Sequence, residues 1–177
     1  DNAFIDNEYI AGTLRRAFGN FQAPAEAFEG IEAVRELYKN VEFILLAYEH
    51  SILKDVGFEE FTVETRKCGI DDIILVGSKS GETKKKLIEK GFSVSSYVTY
   101  GMPDGEVGEA RSSNAFIYLQ AKPAGTVRPG CEKLSGCIEY LRGKGVHNRI
   151  YAGVGISTAE DVKMAAEARA DGVFIGS

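Results

Sequence analysis

Two short segments of this chain have the residue types that grip an anion. Residues 153–157 read GVGIS and residues 174–177 read FIGS, and each follows a β-type apolar run. Glycine and serine at such a junction let backbone N–H groups come close to an oxyanion. Where the segment opens a helix, the helix dipole adds to the attraction. Tight turns need the same glycines, so neither segment is diagnostic alone. Two of them at matching junctions predict a phosphate site built on Gly155, Gly176 and Ser177. Ser157 is expected to cap the helix that follows, because Ser157, Thr158, Ala159 and Glu160 have the capping-box spacing.

Other reactive side chains are few. Lys122 closes a β run, where an amine could act as a Schiff-base nucleophile if desolvation or a nearby cation kept it neutral. The plainer reading is a loop lysine in water. Glu49 and His50 end another β run and could exchange protons, although the pair reads as solvent-exposed. Cys68, Cys131 and Cys137 contain no CxxC pair, and His50 and His147 lie far apart, so neither a zinc site nor a disulfide framework is expected. This cysteine usage fits a reducing cytoplasm.

The elements that must position these groups follow from periodicity. Helical spacing is expected over 8–18, 24–39, 58–68, 81–90, 105–112, 132–142 and 158–168. Between them come β-type runs at 41–48 (VEFILLAY), 72–77 (DIILVG), 93–100, 115–121 (AFIYLQA), 149–153 (RIYAG) and 172–176 (GVFIG). Strands that alternate with helices imply right-handed βαβ crossovers and a parallel sheet covered by helices. The near-continuous apolar character of the runs fits burial on both faces.

Composition narrows the class further. The chain has 177 residues, 44% of them hydrophobic and 27% charged, as in an ordinary globular domain. Net charge is -5, and the densest basic run, Lys84-Lys85-Lys86, is flanked by Glu82 and Glu89. That run is expected to be a solvated helix face, so neither nucleic acid nor an anionic membrane is an expected partner. No apolar run approaches membrane-spanning length. No linker divides the sequence, and residues 1–177 are expected to form one domain.

No GxGxxG follows an early strand, as a doubly wound dinucleotide fold would show. The sequence opens on a helix with no strand before it and stops after a strand. These features predict an α/β fold of the (β/α)8 TIM-barrel type, with phosphate bound by the loops after its last two strands. Strands three to eight are then present and strands one and two missing.

The run GVGIS, a helix, then DGVFIGS resembles the end of the tryptophan synthase alpha subunit family. There a GFGIS-like turn ends strand seven and a GS ends strand eight. The similarity extends backwards. Residues 116–119 (FIYL) resemble that family's strand six, 41–48 its strand three, and 23–28 (APAEAF) the start of its second helix. Residues 1–10 (DNAFIDNEYI) lie over its SDPLADGPTI loop.

The resemblance implies a carbon-carbon lyase of tryptophan biosynthesis. Such an enzyme cleaves indole-3-glycerol phosphate to indole and glyceraldehyde 3-phosphate without a cofactor. The implied partner is a tryptophan synthase beta subunit, which carries its own pyridoxal phosphate. Asp6 matches the carboxylate that holds the indole nitrogen, and Tyr118 a tyrosine near the substrate. Tyr48 matches another tyrosine lining the pocket. Phosphate contacts carry over to Gly125, Gly155, Gly176 and Ser177. The family's second carboxylate would fall just before Asp1.

Departures from the pattern lie in the loops. Residues 122–130 (KPAGTVRPG) replace a RAGVTGA-like loop, 77–83 (GSKSGET) replace a loop with an aspartate and prolines, and Asn7-Glu8 replace Gly-Pro. Two other readings therefore stand beside the lyase: a Schiff-base aldolase using Lys122, and a non-catalytic phosphate-ester-binding or regulatory barrel.

Overall fold

The computed structural model describes residues 24–78 and 80–175. Asp6, Gly176, Ser177 and the helix expected over 8–18 lie outside the described residues. Within them, helices and strands alternate as α1 (Pro24–Leu37), β1 (Ile44–Tyr48), α2 (Phe58–Lys67), β2 (Asp72–Val76), α3 (Glu82–Glu89) and β3 (Ser93–Val98). The alternation continues with α4 (Asp104–Arg111), β4 (Ile117–Gln120), α5 (Leu134–Gly143), β5 (Ile150–Gly153), α6 (Ala159–Glu167) and β6 (Gly172–Val173). A π-helical turn at Ser51–Val56, which no periodicity announces, links β1 to α2.

The strands are shorter than the apolar runs that predict them. Residues 41–43 approach the sheet without pairing, and the Val41 N–H instead closes a turn on the Tyr38 carbonyl. Helix ends are well specified. After α2, α3 and α5 the N–H groups of Ile70, Phe92 and Val146 reach back to Thr65, Leu87 and Leu141, with Gly69, Gly91 and Gly145 at positive φ. This is the Schellman arrangement, and its hydrophobic residue is buried each time. Behind α6 the same bond runs from Ala170 to Ala165, with Arg169 at φ 63 where the others have glycine.

All five strand pairs are parallel, and the order is β1-β2-β3-β4-β5-β6. Right-handed crossovers in a sheet that never reverses order put every connecting helix on one side. A doubly wound sheet would reverse at a switch point. This sheet is a barrel wall with β1 and β6 at its edges.

Side-chain alternation separates the two faces. Ile73, Leu75, Val94, Ile117, Leu119, Ile150 and Ala152 pack against the helices in two continuous clusters. The residues between them, including Tyr97, Tyr118 and Tyr151, point to the concave interior. At the β1 edge that interior is open, with Ile44 and Leu46 exposed by 37% and 44%.

The basic run at 84–86 departs from expectation. Lys85 and Lys86 are exposed, but Lys84 is only 2% exposed. Helical spacing puts it on the same face as Leu87, which is also buried. Its ammonium meets the Glu109 carboxylate at 2.7 Å and Ser112 Oγ at 3.3 Å, tying α3 to α4. Burial pushes the Lys84 pKa down, against the opposing pull of Glu109.

Candidate functional site

Parallel register lines up a belt of tyrosines across the wall. Tyr97 pairs with Tyr118, Tyr118 with Tyr151, and Tyr151 with Gly172. The rings touch on the concave face: Tyr97 meets Tyr118 edge-on at 5.4 Å, and Phe174 lies 4.7 Å from Tyr118 and 6.0 Å from Tyr151. Phe116 stacks on Tyr151 at 4.9 Å. Tyr118 and Tyr151 each lie over a glycine on the next strand. A Cβ at Gly153 would stand 2.7 Å from the Tyr118 phenol oxygen, and one at Gly172 would stand 3.1 Å from Tyr151 Cδ1.

Burial raises the Tyr118 pKa, and a hydrogen bond donated by the Val154 backbone N–H partly opposes it. Burial also raises that of Tyr97, with the neighbouring Tyr118 adding to the shift. Both are therefore neutral phenols at physiological pH, suited to donating hydrogen bonds rather than to abstracting protons. Tyr97 reaches Gln120 Oε1 at 3.5 Å, and the same oxygen accepts the Tyr100 N–H at 3.3 Å.

The turn after β5 is strained at its centre. Val154 has φ 56, a backbone conformation that β-branched residues rarely adopt, and Gly155 follows at φ 100. Such strain persists only where surroundings over-determine it. Here the Gly153 carbonyl accepts from Ala121 N–H at 2.6 Å, and the Val154 N–H is engaged by Tyr118.

Further along, Asp161 gathers the turn. Its Oδ2 accepts the N–H groups of Ser157 and Thr158, each at 3.0 Å, and its own N–H donates to Thr158 Oγ1 at 3.2 Å. The N-cap is therefore Thr158, with Asp161 completing the capping box, and not Ser157 with Glu160 as expected. The helix that follows turns Val162, Ala165 and Ala168 toward the core. The closed box takes up the N–H groups of Ser157, Thr158 and Asp161, so those three are not available to an anion at this turn.

Lys122 is not a free loop lysine. Its ammonium lies 2.6 Å from Asp161 Oδ1, and its methylenes lie over Gly155. The Lys122 ammonium first, then the Ser157 N–H, hold the Asp161 carboxyl well below the usual carboxylate range. The amine nitrogen is thus engaged by a carboxylate rather than presented to a carbonyl carbon.

The structure thus brings Tyr118, Gly155 and Lys122 together around the end of β5. Tyr48 stands at the end of β1, on the far side of Tyr97. Gly125 is exposed with open space around its Cα, and Arg128 anchors that loop to the Met102 carbonyl at 2.8 Å and to Asp104 at 2.7 Å. His50 is exposed, whereas Glu49 is half-buried and accepts from Ser78 Oγ at 3.2 Å. Tyr97, Gln120 and Asp161 escaped the sequence reading. Only Asp161 left a signal there, as Thr158-x-x-Asp161.

A groove of about 820 Å³ runs along the outer flank between the π-helical turn, α2 and α3. Tyr118, Gly155 and Lys122 do not line it. Among the described residues, no three of His, Cys, Asp or Glu gather as metal ligands, and no helix is long and apolar enough to cross a membrane.

Comparison with known proteins agrees with this architecture. The family model described as tryptophan synthase alpha chain matches residues 4–177. The tryptophan synthase alpha chain of Thermococcus kodakarensis is 27% identical over 97% of this chain and 70% of its own length. Among solved structures, the tryptophan synthase complex of Pyrococcus furiosus superposes with a TM-score of 0.75 at 20% identity, over 99% of this chain and 70% of that one. The alpha subunit from Legionella pneumophila also gives 0.75 at 20% identity, over 99% and 66%.

Proposed function

The chain belongs to the tryptophan synthase alpha chain family, and from that premise we propose that it cleaves indole-3-glycerol phosphate to indole and glyceraldehyde 3-phosphate. Family membership makes it a lyase of tryptophan biosynthesis. The particular substrate and the role of each residue are our reading.

In that reading a proton is added at indole C3 while positive charge builds on the ring nitrogen. The glycerol hydroxyl next to the ring loses its proton, and the carbon-carbon bond breaks to leave an aldehyde. Asp6 accepts the indole N–H as the charge develops. The substrate lies against the tyrosine belt, with Tyr118 donating to it as a neutral phenol and Tyr48 closing the far wall. The phosphate is gripped by Gly155, Gly125, Gly176 and Ser177. Gly176 comes three residues after Val173, as Gly155 comes three after its register partner Ala152. No cofactor enters these steps.

The observation that carries the reading is the junction of Tyr118 with the Gly153–Gly155 turn. It sets an aromatic wall with phenolic donors beside a glycine turn, as an aromatic phosphate ester requires. Against the Schiff-base alternative stands the Lys122–Asp161 bond at 2.6 Å. The Pyrococcus furiosus relative is an α2β2 complex. By kinship we propose a pyridoxal-phosphate-bearing beta subunit as the partner of this chain.

The test is release of indole from indole-3-glycerol phosphate by the full-length protein, with Asp6→Asn beside it. The reading expects turnover by the parent and its near-complete loss in the variant. Equal turnover by both removes Asp6 from the mechanism. Phosphate-ester binding with no turnover by the parent would leave a binding protein in place of the lyase.

A further inference from the structure

We propose that Lys122 and Asp161 form a strap that positions the Gly155 turn for the phosphate, Lys122 acting through the turn and not by touching the anion. The proposal rests on the phosphate site described above and adds two positioning residues to it.

The strap has three points of attachment. At its root, Gln120 Nε2 donates to the Lys122 carbonyl at 2.8 Å, fixing the backbone where β4 gives way to the loop at 122–130. Along its length the lysine methylenes cross the Gly155 backbone. A Cβ at Gly155 would come within 2.9 Å of Lys122 Cδ and 3.1 Å of its Cβ and Cγ. At its tip the ammonium meets Asp161 Oδ1, while Oδ2 of the same carboxylate holds the N–H groups of Ser157 and Thr158.

One side chain thus spans the turn from β4 to α6 and presses on the glycine between them. Val154 at φ 56 is held where β-branched residues rarely go, beside Gly155 at φ 100, which only glycine adopts freely, so the turn needs such external restraint to hold one geometry. A preorganised anion site depends on fixed N–H directions, and supporting contacts that lock them are felt in affinity.

The geometry also separates positioning from direct contact. Half of the Lys122 side chain is exposed, at 47%, whereas the Asp161 side chain is exposed by only 11%. If the ammonium served the phosphate directly, Asp161 would compete with the ligand, and neutralising it would tighten binding. If Lys122 works as a strap, losing either end loosens the turn, and binding weakens.

The experiment measures binding of glycerol 3-phosphate to the full-length protein by calorimetry, and hydrogen exchange of the Gly155 amide. The variants are Lys122→Met, which keeps the first two methylenes and an apolar chain of similar length, Asp161→Asn, which keeps an acceptor for the cap, their double, and Lys122→Arg. Each of the first two is expected to weaken binding about tenfold, the scale on which supporting contacts act. The double should be little worse than either single, since both break one bond. Gly155 exchange should quicken in both by more than the change in thermal midpoint accounts for, and Lys122→Arg should bind as the parent does.

Tighter binding by Asp161→Asn overturns the strap in favour of direct contact. Unchanged binding in both singles overturns it altogether. A parent that does not bind glycerol 3-phosphate sinks the phosphate reading, while unchanged Gly155 exchange in Lys122→Met sinks the strap on its own.

Discussion

The ring of Tyr118 lies across the backbone of Gly153 on the neighbouring strand, where any side chain at position 153 would collide with it. The Val154 N–H faces the Tyr118 oxygen as well, so the aromatic wall and the turn meet at two points. Gly153→Ala puts a methyl 2.7 Å from that oxygen and 2.8 Å from Cζ. Tyr118 must leave its place, and the cost is about 1–3 kcal/mol, as for other overpacked sites. Urea denaturation should show that loss, with indole release falling more steeply than stability alone explains. A variant with parental activity would remove Tyr118 from the substrate wall.

Tyr118→Phe keeps the ring over Gly153 and removes the acceptor of the Val154 N–H. The lost hydrogen bond should cost about 1 kcal/mol of stability. A strained turn released at one point should show this mainly as a raised KM for the phosphate ester. If kcat falls while KM holds, the hydroxyl serves the reacting centre instead of the turn.

Much of this architecture was legible in the sequence, and the reasons differ by level. Alternating runs fixed the order of elements because strands buried on both faces must be apolar throughout. Gly155 marked a turn because few other residues tolerate its backbone, at φ 100. The tyrosine belt was not legible. It exists because Tyr97, Tyr118 and Tyr151 share a register, and register is set by crossovers, not by any local pattern. Asp161 was hidden by overlap. Ser157-x-x-Glu160 and Thr158-x-x-Asp161 both have capping spacing, and spacing alone does not choose between them. The burial of Lys84 was concealed by the two exposed lysines beside it.

Lys84 makes a stability prediction of its own. Lys84→Met leaves the Glu109 carboxylate, with a side chain 17% exposed, facing a thioether. Removing one partner of a buried pair should cost about 3 kcal/mol, the lower end of the range because Glu109 still reaches water. Adding Glu109→Gln to the same chain should recover part of that loss in chemical denaturation. A single variant as stable as the parent would show that the pair between α3 and α4 contributes nothing net.

Sodium borohydride with a carbonyl substrate tests the amine chemistry that Lys122 suggests at first sight. Imine formation needs a neutral amine, and the ammonium is held at 2.6 Å by a carboxylate. The expected mass spectrum of the treated protein is unmodified at Lys122. A reduced adduct there would mean that the bond to Asp161 opens readily and that an aldolase mechanism is available.

Acid stability should report the Asp161 cap with a definite sign. Lys122 and the N–H groups of Ser157 and Thr158 keep its carboxyl below the ordinary range in the folded chain, whereas in the unfolded chain it titrates near about 3.9. The unfolded state then takes up the proton first as pH falls. The stabilisation is fully present above the unfolded pKa and is lost as pH falls through the lowered folded one. Urea midpoints of the parent and of Asp161→Asn should therefore differ by a constant amount from pH 7 down to about pH 5. Below that the two should converge, since the parent loses an advantage the variant never had. A difference that grew on acidification would mean the carboxylate is destabilised in the fold, and that the cap and the Lys122 bond do not hold it.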